Sequence, residues 1–235
     1  LITLIMVLII GYYNGITVVK SGLPSFIITL GSLFMIRGFT IAISKIITGR
    51  TQIGGIEESK GFNIMSSVFS NHLTIAGTNF PISIFWWMLF GVLGYFLLKH
   101  TQFGNWIFAT GASQESAKLM GIPVQKVKIS LFMLAAFCSW FIAVTQVTTF
   151  GGADVLRGEQ KEFIAIIAVV IGGTLLTGGY GSIIGAMIGA LIFGIVKQGI
   201  IFAGVDADWF QVFMGVMLVS AVLVNGAFRK KYAQG

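Results

Sequence analysis

Long apolar runs separated by short polar stretches set the pattern of this chain. Leu1–Val19, Ser25–Ile47, Pro81–Leu98, Ile129–Phe150 and Trp209–Phe228 each read as one membrane helix. Runs this long exceed the ~18 residues that mark a spanning helix and exclude a barrel of short alternating strands. Phe163–Val196 carries no charged residue. As one straight helix it would measure ~50 Å, against a hydrocarbon core of ~30 Å. It therefore reads as two crossings, with the reversal at Thr177–Gly181. Gly181, Gly185 and Gly189 follow at a spacing of four, beside Ala186 and Ala190. That spacing places them on one helix face, where a second backbone can approach. With Gly172, Gly173, Gly178 and Gly179 they predict a close-packed hairpin. About seven crossings result.

Composition agrees with the pattern. Of the 235 residues 56% are hydrophobic and 10% charged, and mean hydropathy is +0.92. A soluble domain carries about 25% charged residues, so this chain reads as an all-α polytopic membrane protein embedded in a lipid bilayer. Residues 1–235 read as a single transmembrane domain, with an extracytoplasmic loop at 48–80 and a cytoplasmic loop at 101–128. Phe62–Phe69 within the first loop reads as a short amphipathic interfacial element. The chain begins inside an apolar run at Leu1 and is expected to be incomplete at its N-terminus, whereas Arg229-Lys230-Lys231 reads as a natural end. Cys138, the only cysteine, lies in an apolar run and reads as a structural thiol.

The net charge of +7 is not gathered on a soluble module, so nucleic acid is not an expected partner. It sorts by loop instead. Lys20, Lys99, Lys118, Lys126, Lys128, Arg229, Lys230 and Lys231 fall on one side, with Glu115 as its one acid. Lys45, Arg50, Lys60, Arg157, Lys161 and Lys197 fall on the other with the remaining acids, Asp206 and Asp208 among them. The first side, with the C-terminus, is expected to be cytoplasmic.

The loop at 101–128 contains a second signal. Ser113 suits an N-cap, and Glu115 in the next turn favours the helix dipole. Gly121 can close such a helix, and Pro123 prevents its continuation. A short helix over Gln114–Met120 follows, too short to persist alone and therefore docked on something. Its own protein or a soluble partner would both serve.

Glu115-Ser116-Ala117 followed by Gly121 resembles the E-A-A…G cytoplasmic loop of ATP-binding-cassette importer permeases. Gly111–Ile129 resembles the coupling segment of the ribose-type sugar permeases, in the inner-membrane family that also includes branched-chain amino acid permeases. Gly172–Ala186 is similar to that family's glycine-rich signature, and so is Leu23–Ser32 with Arg37-Gly38 after it. Ser116 departs from the generic motif, which has alanine. The family usually has about ten crossings, so about three N-terminal helices are expected to be missing. The resemblance implies a type II ABC-importer-like bundle in the bacterial cytoplasmic (inner) membrane. It implies a second permease subunit (homo- or heterodimer), cytoplasmic ATPase subunits and an extracytoplasmic sugar-binding protein. It makes Ser113, Glu115, Ala117, Gly121 and Pro123 the ATPase-coupling residues, with the small face around Ala117 in the contact. The chain has no phosphate-binding loop of the G-x-x-x-x-G-K-[ST] form, so ATP and magnesium are expected on the partner ATPase and no cofactor on this chain.

Four further polar residues stand in apolar runs. Arg37 is costly in mid-membrane unless paired or wet. Asn14, Gln146 and Gln211 read as path-lining groups or as interhelical hydrogen bonds. No nucleophile–base or paired-carboxylate arrangement lies within the runs, so no catalytic site is expected, and His72 and His100 lack metal-ligand spacing. The implied function is the permease subunit of an importer for a monosaccharide (ribose, xylose, galactose or fructose-like). The alternatives are a permease for a branched-chain amino acid, nucleoside or signalling sugar, or an ion-coupled secondary carrier. The carrier would want an intramembrane carboxylate, and the runs hold none.

Overall fold

The computed structural model describes residues 1–59, 61–75, 77–205 and 209–233. Lys60, Asp206 and Asp208, which entered the charge sorting, lie outside the described residues, as do the side chains of Arg229, Lys230 and Lys231. The fold is all-α. The helices are α1 (Ile2–Ser21), α2 (Ser25–Thr48), α3 (Phe62–Phe69), α4 (Ser83–His100), α5 (Gln102–Ala112), α6 (Gln114–Leu119), α7 (Val124–Phe150), α8 (Lys161–Ile171), α9 (Ile183–Phe202) and α10 (Trp209–Ala233). Two small antiparallel pairs decorate the loops: β1 (Gln52–Ile53) with β4 (Ala153–Asp154), and β2 (His72–Ile75) with β3 (Thr78–Pro81).

Each of the seven expected crossings contains a helix, though not over its whole length. Among the described residues, α1, α2, α4, α7 and α9 are long and apolar enough to cross a bilayer. Trp209–Ser220 is the described apolar part of α10. The first arm of the hairpin differs from expectation. At 11 residues, α8 extends only ~16 Å, short of the ~30 Å core. It stops where Gly173 turns to φ +84° and Thr174 donates its amide to Val169 O at 3.2 Å. Non-helical chain continues to Ser182, the N-cap of α9. Two further boundaries moved. Pro81 ends β3 instead of opening α4, and α7 begins at Val124, ahead of the apolar run. α5 was not anticipated: its glycines and polar residues read as loop, yet Thr101 caps it, accepting the Gly104 amide at 3.1 Å.

The chain packs as two compact units, Leu1–Met88 with Pro123–Gly158, and Leu89–Ile122 with Glu159–Gly235. In the first, α1 lies along α7. Gly11 and Gly15 are buried on that seam. A Cβ at Gly11 would come within 2.7 Å of Ala136 Cβ, and one at Gly15 within 3.0 Å of Ile129 Cα. Small residues four apart thus let the two backbones close up, as membrane helices require in the absence of a hydrophobic driving force. Trp140 Nε1 reaches Thr3 Oγ1 at 3.0 Å across the same pair. α3 packs on α7 through an aromatic cluster, with Phe141 5.1 Å from Phe69 and 5.0 Å from Trp86. The Trp86 indole donates to Val68 O at 2.9 Å.

In the second unit α9 packs on α8, and α10 on α8. Ile167, Phe193 and Met214 form the core, with Phe210 edge-on to Phe193 at 6.0 Å. Elsewhere the spans expose their apolar side chains. Phe34 on α2 is 64% exposed and Ile195 on α9 is 72% exposed. Such a surface suits lipid or further protein, not water.

Candidate functional site

The short helix α6 is built from its own local sequence. Ser113 occupies the N-cap, and its hydroxyl accepts the Ser116 amide at 3.3 Å. Gly121 ends the turn at φ +78°. There the Gly121 amide donates to Lys118 O and the Ile122 amide to Ala117 O, each at 3.0 Å. This pair of bonds is a Schellman closure, and the left-handed residue it needs is the glycine. Pro123 then caps α7, where its missing N–H leaves no bond unmade.

The placement of Ala117 differs from the expected one. It is fully enclosed, while every other α6 residue is exposed. Ala117 is therefore the point on which α6 rests against its own protein. The outward apolar groups are Leu119, 90% exposed, and Met120, 67% exposed. They flank the exposed Glu115 and Lys118, so a partner meeting α6 meets these four side chains and not the alanine methyl.

Two stretches far apart in sequence meet behind α6, within the second unit. The turn after α8 is closed by Leu175 N to Tyr180 O and Gly178 N to Leu175 O, each 3.1 Å. Gly178 and Gly179 have φ +87° and +79°. They press on the end of α5, backbone to backbone. A Cβ at Gly178 would stand 2.8 Å from Gly111 O, and one at Gly179 3.0 Å from Ala112 Cα. A Cβ at Gly111 would stand 2.5 Å from Gly179 N. Ala112 is followed directly by the Ser113 cap, so α6 and the glycine turn share one backbone junction. Gly111 was not singled out in the sequence, since nothing local distinguishes it from a loop glycine.

The base of the hairpin is equally tight. A Cβ on Gly172 would collide with Gly185 O, one on Gly185 with Gly172 O, and one on Gly189 with Ala168 O. A Cβ on Gly181 would stand 2.7 Å from Thr174 Cγ2. Gly173 differs, having open space where its Cβ would be. Its glycine answers to φ alone.

The four intramembrane polar candidates separate. Asn14 and Arg37 line one open groove of about 360 Å³ in the first unit, together with Thr29, Ser32 and Thr40. Asn14 Oδ1 accepts the Ser32 hydroxyl at 2.5 Å, joining α1 to α2. Gln146 offers its backbone carbonyl to Arg157 at 3.5 Å, and that guanidinium lies 4.6 Å over the Phe150 ring. Gln211 lines a smaller cavity of about 210 Å³ in the second unit, beside Gln160 and Met214. Where β1 meets β4, Asp154 accepts the Leu156 amide at 2.9 Å and the Gln52 amide group at 3.0 Å. These bonds, the backbone one foremost, hold its carboxyl below the usual carboxylate range.

Five long apolar helices among the described residues, a glycine-packed hairpin and a capped, exposed helix between two spans define a multi-pass helical membrane protein. More narrowly, the chain belongs to the family described as branched-chain amino acid transport system / permease component, whose profile matches residues 1–222. Among curated relatives it is 30% identical over 92% of its length to the ribose import permease protein RbsC of Escherichia coli, covering 64% of that protein. It is 29% identical over 97% of its length to the fructose import permease protein FruG of Bifidobacterium longum, covering 67% of it. It is 32% identical over 94% of its length to the autoinducer 2 import system permease protein LsrD of Photorhabdus laumondii, covering 65% of it. The chain thus spans about two thirds of the length of these relatives. No solved structure matches it.

Proposed function

We propose that this chain is the larger part of the membrane permease subunit of an ATP-binding-cassette importer for a monosaccharide. The carrying observation is the junction of α6 with the glycine turn. α6 presents Leu119 and Met120 outward, and its N-cap continues from the α5 end that Gly178 and Gly179 clasp. A push on α6 by a partner ATPase would pass through that backbone contact into the hairpin, without a flexible side chain to absorb it. In this reading Ser113, Gly121 and Pro123 hold the shape of α6, Ala117 seats it, and Glu115, Leu119 and Met120 meet the ATPase. ATP and magnesium are handled by that partner, an extracytoplasmic sugar-binding protein delivers the solute, and a second permease subunit completes the path. The chain would lie in the bacterial cytoplasmic membrane with its C-terminus in the cytoplasm. The names of the ribose and fructose import permeases among its relatives support a sugar as cargo. The family description leaves a branched-chain amino acid as the second reading.

The test is the double substitution Leu119→Asp with Met120→Asp in the full-length permease, reconstituted with its ATPase and binding protein. Each apolar side chain buried at an interface contributes roughly 1.5–3 kcal/mol. Sugar-stimulated ATP hydrolysis and uptake should therefore fall together by about tenfold or more, with membrane insertion unchanged. Unaltered uptake, or uptake driven by an ion gradient without ATP, would refute the reading. L-leucine uptake in place of D-ribose uptake would favour the amino-acid alternative.

A further inference from the structure

We infer that the C-terminal end of α2 carries a binding site for the headgroup of an anionic phospholipid, with Lys45 and Arg50 as its cationic pair. The site is independent of the cargo and of the partners proposed above. At 24 residues, α2 measures ~36 Å, enough to cross a hydrocarbon core of ~30 Å. Lys45 in its last turn and Arg50 just past its end therefore stand where hydrocarbon gives way to water. An open cavity of about 530 Å³ lies there, lined by Lys45, Gly49, Arg50, Thr51, Gln52 and Gly54. The backbone assembles it. Gly49 turns at φ +69°, and its amide donates to Lys45 O at 2.9 Å. The Ser44 hydroxyl donates to Arg50 O at 3.0 Å, which holds Arg50 back over the turn that carries Lys45. Beyond it, the Val155 amide donates to Thr51 O at 3.2 Å, and Gln52 pairs with Asp154 in the β1–β4 ladder. Two like charges are thus brought to one cavity before any ligand arrives, so the ordering cost of binding is reduced.

Among the described residues no hydrogen bond or ion pair engages the Lys45 ammonium or the Arg50 guanidinium. Two neighbouring carboxylates are directed elsewhere. Asp154 accepts the Leu156 amide and the Gln52 amide group, and the Glu57 carboxylate stands where a Cβ on Gly151 would be. A guanidinium fork and an ammonium point charge together match a phosphate, which takes a bidentate pair from the first and a direct charge contact from the second. The Thr51 hydroxyl adds a neutral donor. The helix itself decides between a lipid and a soluble anion. Phe39, Ile43 and Ile46 are all exposed, and at 100° per residue they lie within about 60° of one another. They form an apolar strip that runs down α2 from the turn beside Lys45. A soluble acidic protein would meet the cations and leave this strip bare. A phospholipid satisfies both, with its phosphate on Lys45 and Arg50 and an acyl chain along the strip.

The experiment places the full-length permease in nanodiscs of phosphatidylcholine and phosphatidylglycerol. Ile46→Cys, at a position 82% exposed, carries a bimane fluorophore in a Cys138→Ser background. Quenching by brominated phosphatidylglycerol, compared with quenching by brominated phosphatidylcholine at the same mole fraction, reads the preference of the site. Each basic residue near a lipid phosphate is worth about fivefold, and the pair about thirtyfold. The native site should therefore prefer phosphatidylglycerol by about thirtyfold at low salt, less as salt screens the charges. Lys45→Gln and Arg50→Gln should each lower the preference about fivefold, and the double variant should bring it near parity. Lys45→Arg should retain it, and Lys126→Gln, an exposed cation on α7, should leave it unchanged. Equal quenching by the two lipids in the native protein would overturn the site, as would a preference that survives the double variant. Release of the quenching by inorganic phosphate in millimolar excess would overturn the lipid in favour of a small anion. Absence of a lipid preference, with weaker capture of the purified binding protein by the double variant, would assign the pair to an acidic protein surface instead.

Discussion

Gly178 offers a direct measure of the backbone contact behind α6. In Gly178→Ala two costs arise. The residue sits at φ +87°, where an L side chain costs roughly 1–2 kcal/mol. Its new Cβ would also stand 2.8 Å from Gly111 O and 3.1 Å from Gly111 Cα. Both neighbours are backbone and cannot rotate away, so relief requires the turn to lift from α5, at about 1–3 kcal/mol by analogy with overpacked cores. Gly173→Ala separates the two contributions. Gly173 has nearly the same φ, +84°, with nothing within 4 Å of its Cβ position, so only the conformational cost applies. The difference between the variants, about 1–3 kcal/mol, corresponds to about 5- to 150-fold in the unfolding equilibrium. It is read by denaturant unfolding of the full-length permease in mixed micelles, with ATP-coupled uptake measured in parallel. Gly178→Ala should lose more stability than Gly173→Ala and should lose coupling as well. Equal losses in the two variants would refute the claim that contact with Gly111, and not the left-handed turn alone, demands glycine.

The same logic applies at the hairpin base: Gly185→Leu should impair assembly and uptake far more than Ile184→Leu, because the Gly185 Cβ would strike Gly172 O while Ile184 is 54% exposed; normal assembly of Gly185→Leu would show the packing to be slack. Asp154 has its carboxyl pKa lowered by the Leu156 amide and by Gln52, so its contribution to the β1–β4 junction is complete above the ordinary carboxylate range and is lost as pH falls through the lowered pKa. The protection factor of the Leu156 amide, its exchange rate taken relative to an unstructured chain at the same pH, should fall over that acid range in the native chain and be low at neutral pH already in Asp154→Ala. In a Cys138→Ser background, a cysteine replacing Glu58 should react with an impermeant reagent outside intact cells, and one replacing Lys118 only after lysis; the reverse pattern would invert the topology.

What could be read from the chain alone was local in its physics. The α6 signal lies within eleven residues, Ser113 to Pro123, because an N-cap hydroxyl, a left-handed glycine and a proline act on their immediate neighbours. The apolar runs are legible for a similar reason, since span length is set by bilayer thickness and not by a contact partner. The amphipathic stretch Phe62–Phe69 becomes α3 with those same bounds. Tertiary structure decided what depended on a distant neighbour. Gly11 and Gly15 look like ordinary membrane glycines until α7 is laid against them. Gln52 pairs with Asp154 across a long stretch of chain, and no local propensity announces a two-residue strand. Gly172-Gly173 can pack a continuous helix or end one, and the hydrogen bond from Thr174 to Val169 makes it an end, leaving α8 short. Ala117 shows the limit most plainly: sequence places a small residue on one face of α6, but whether that face turns inward or outward is settled by what the helix rests on, and it rests on its own protein.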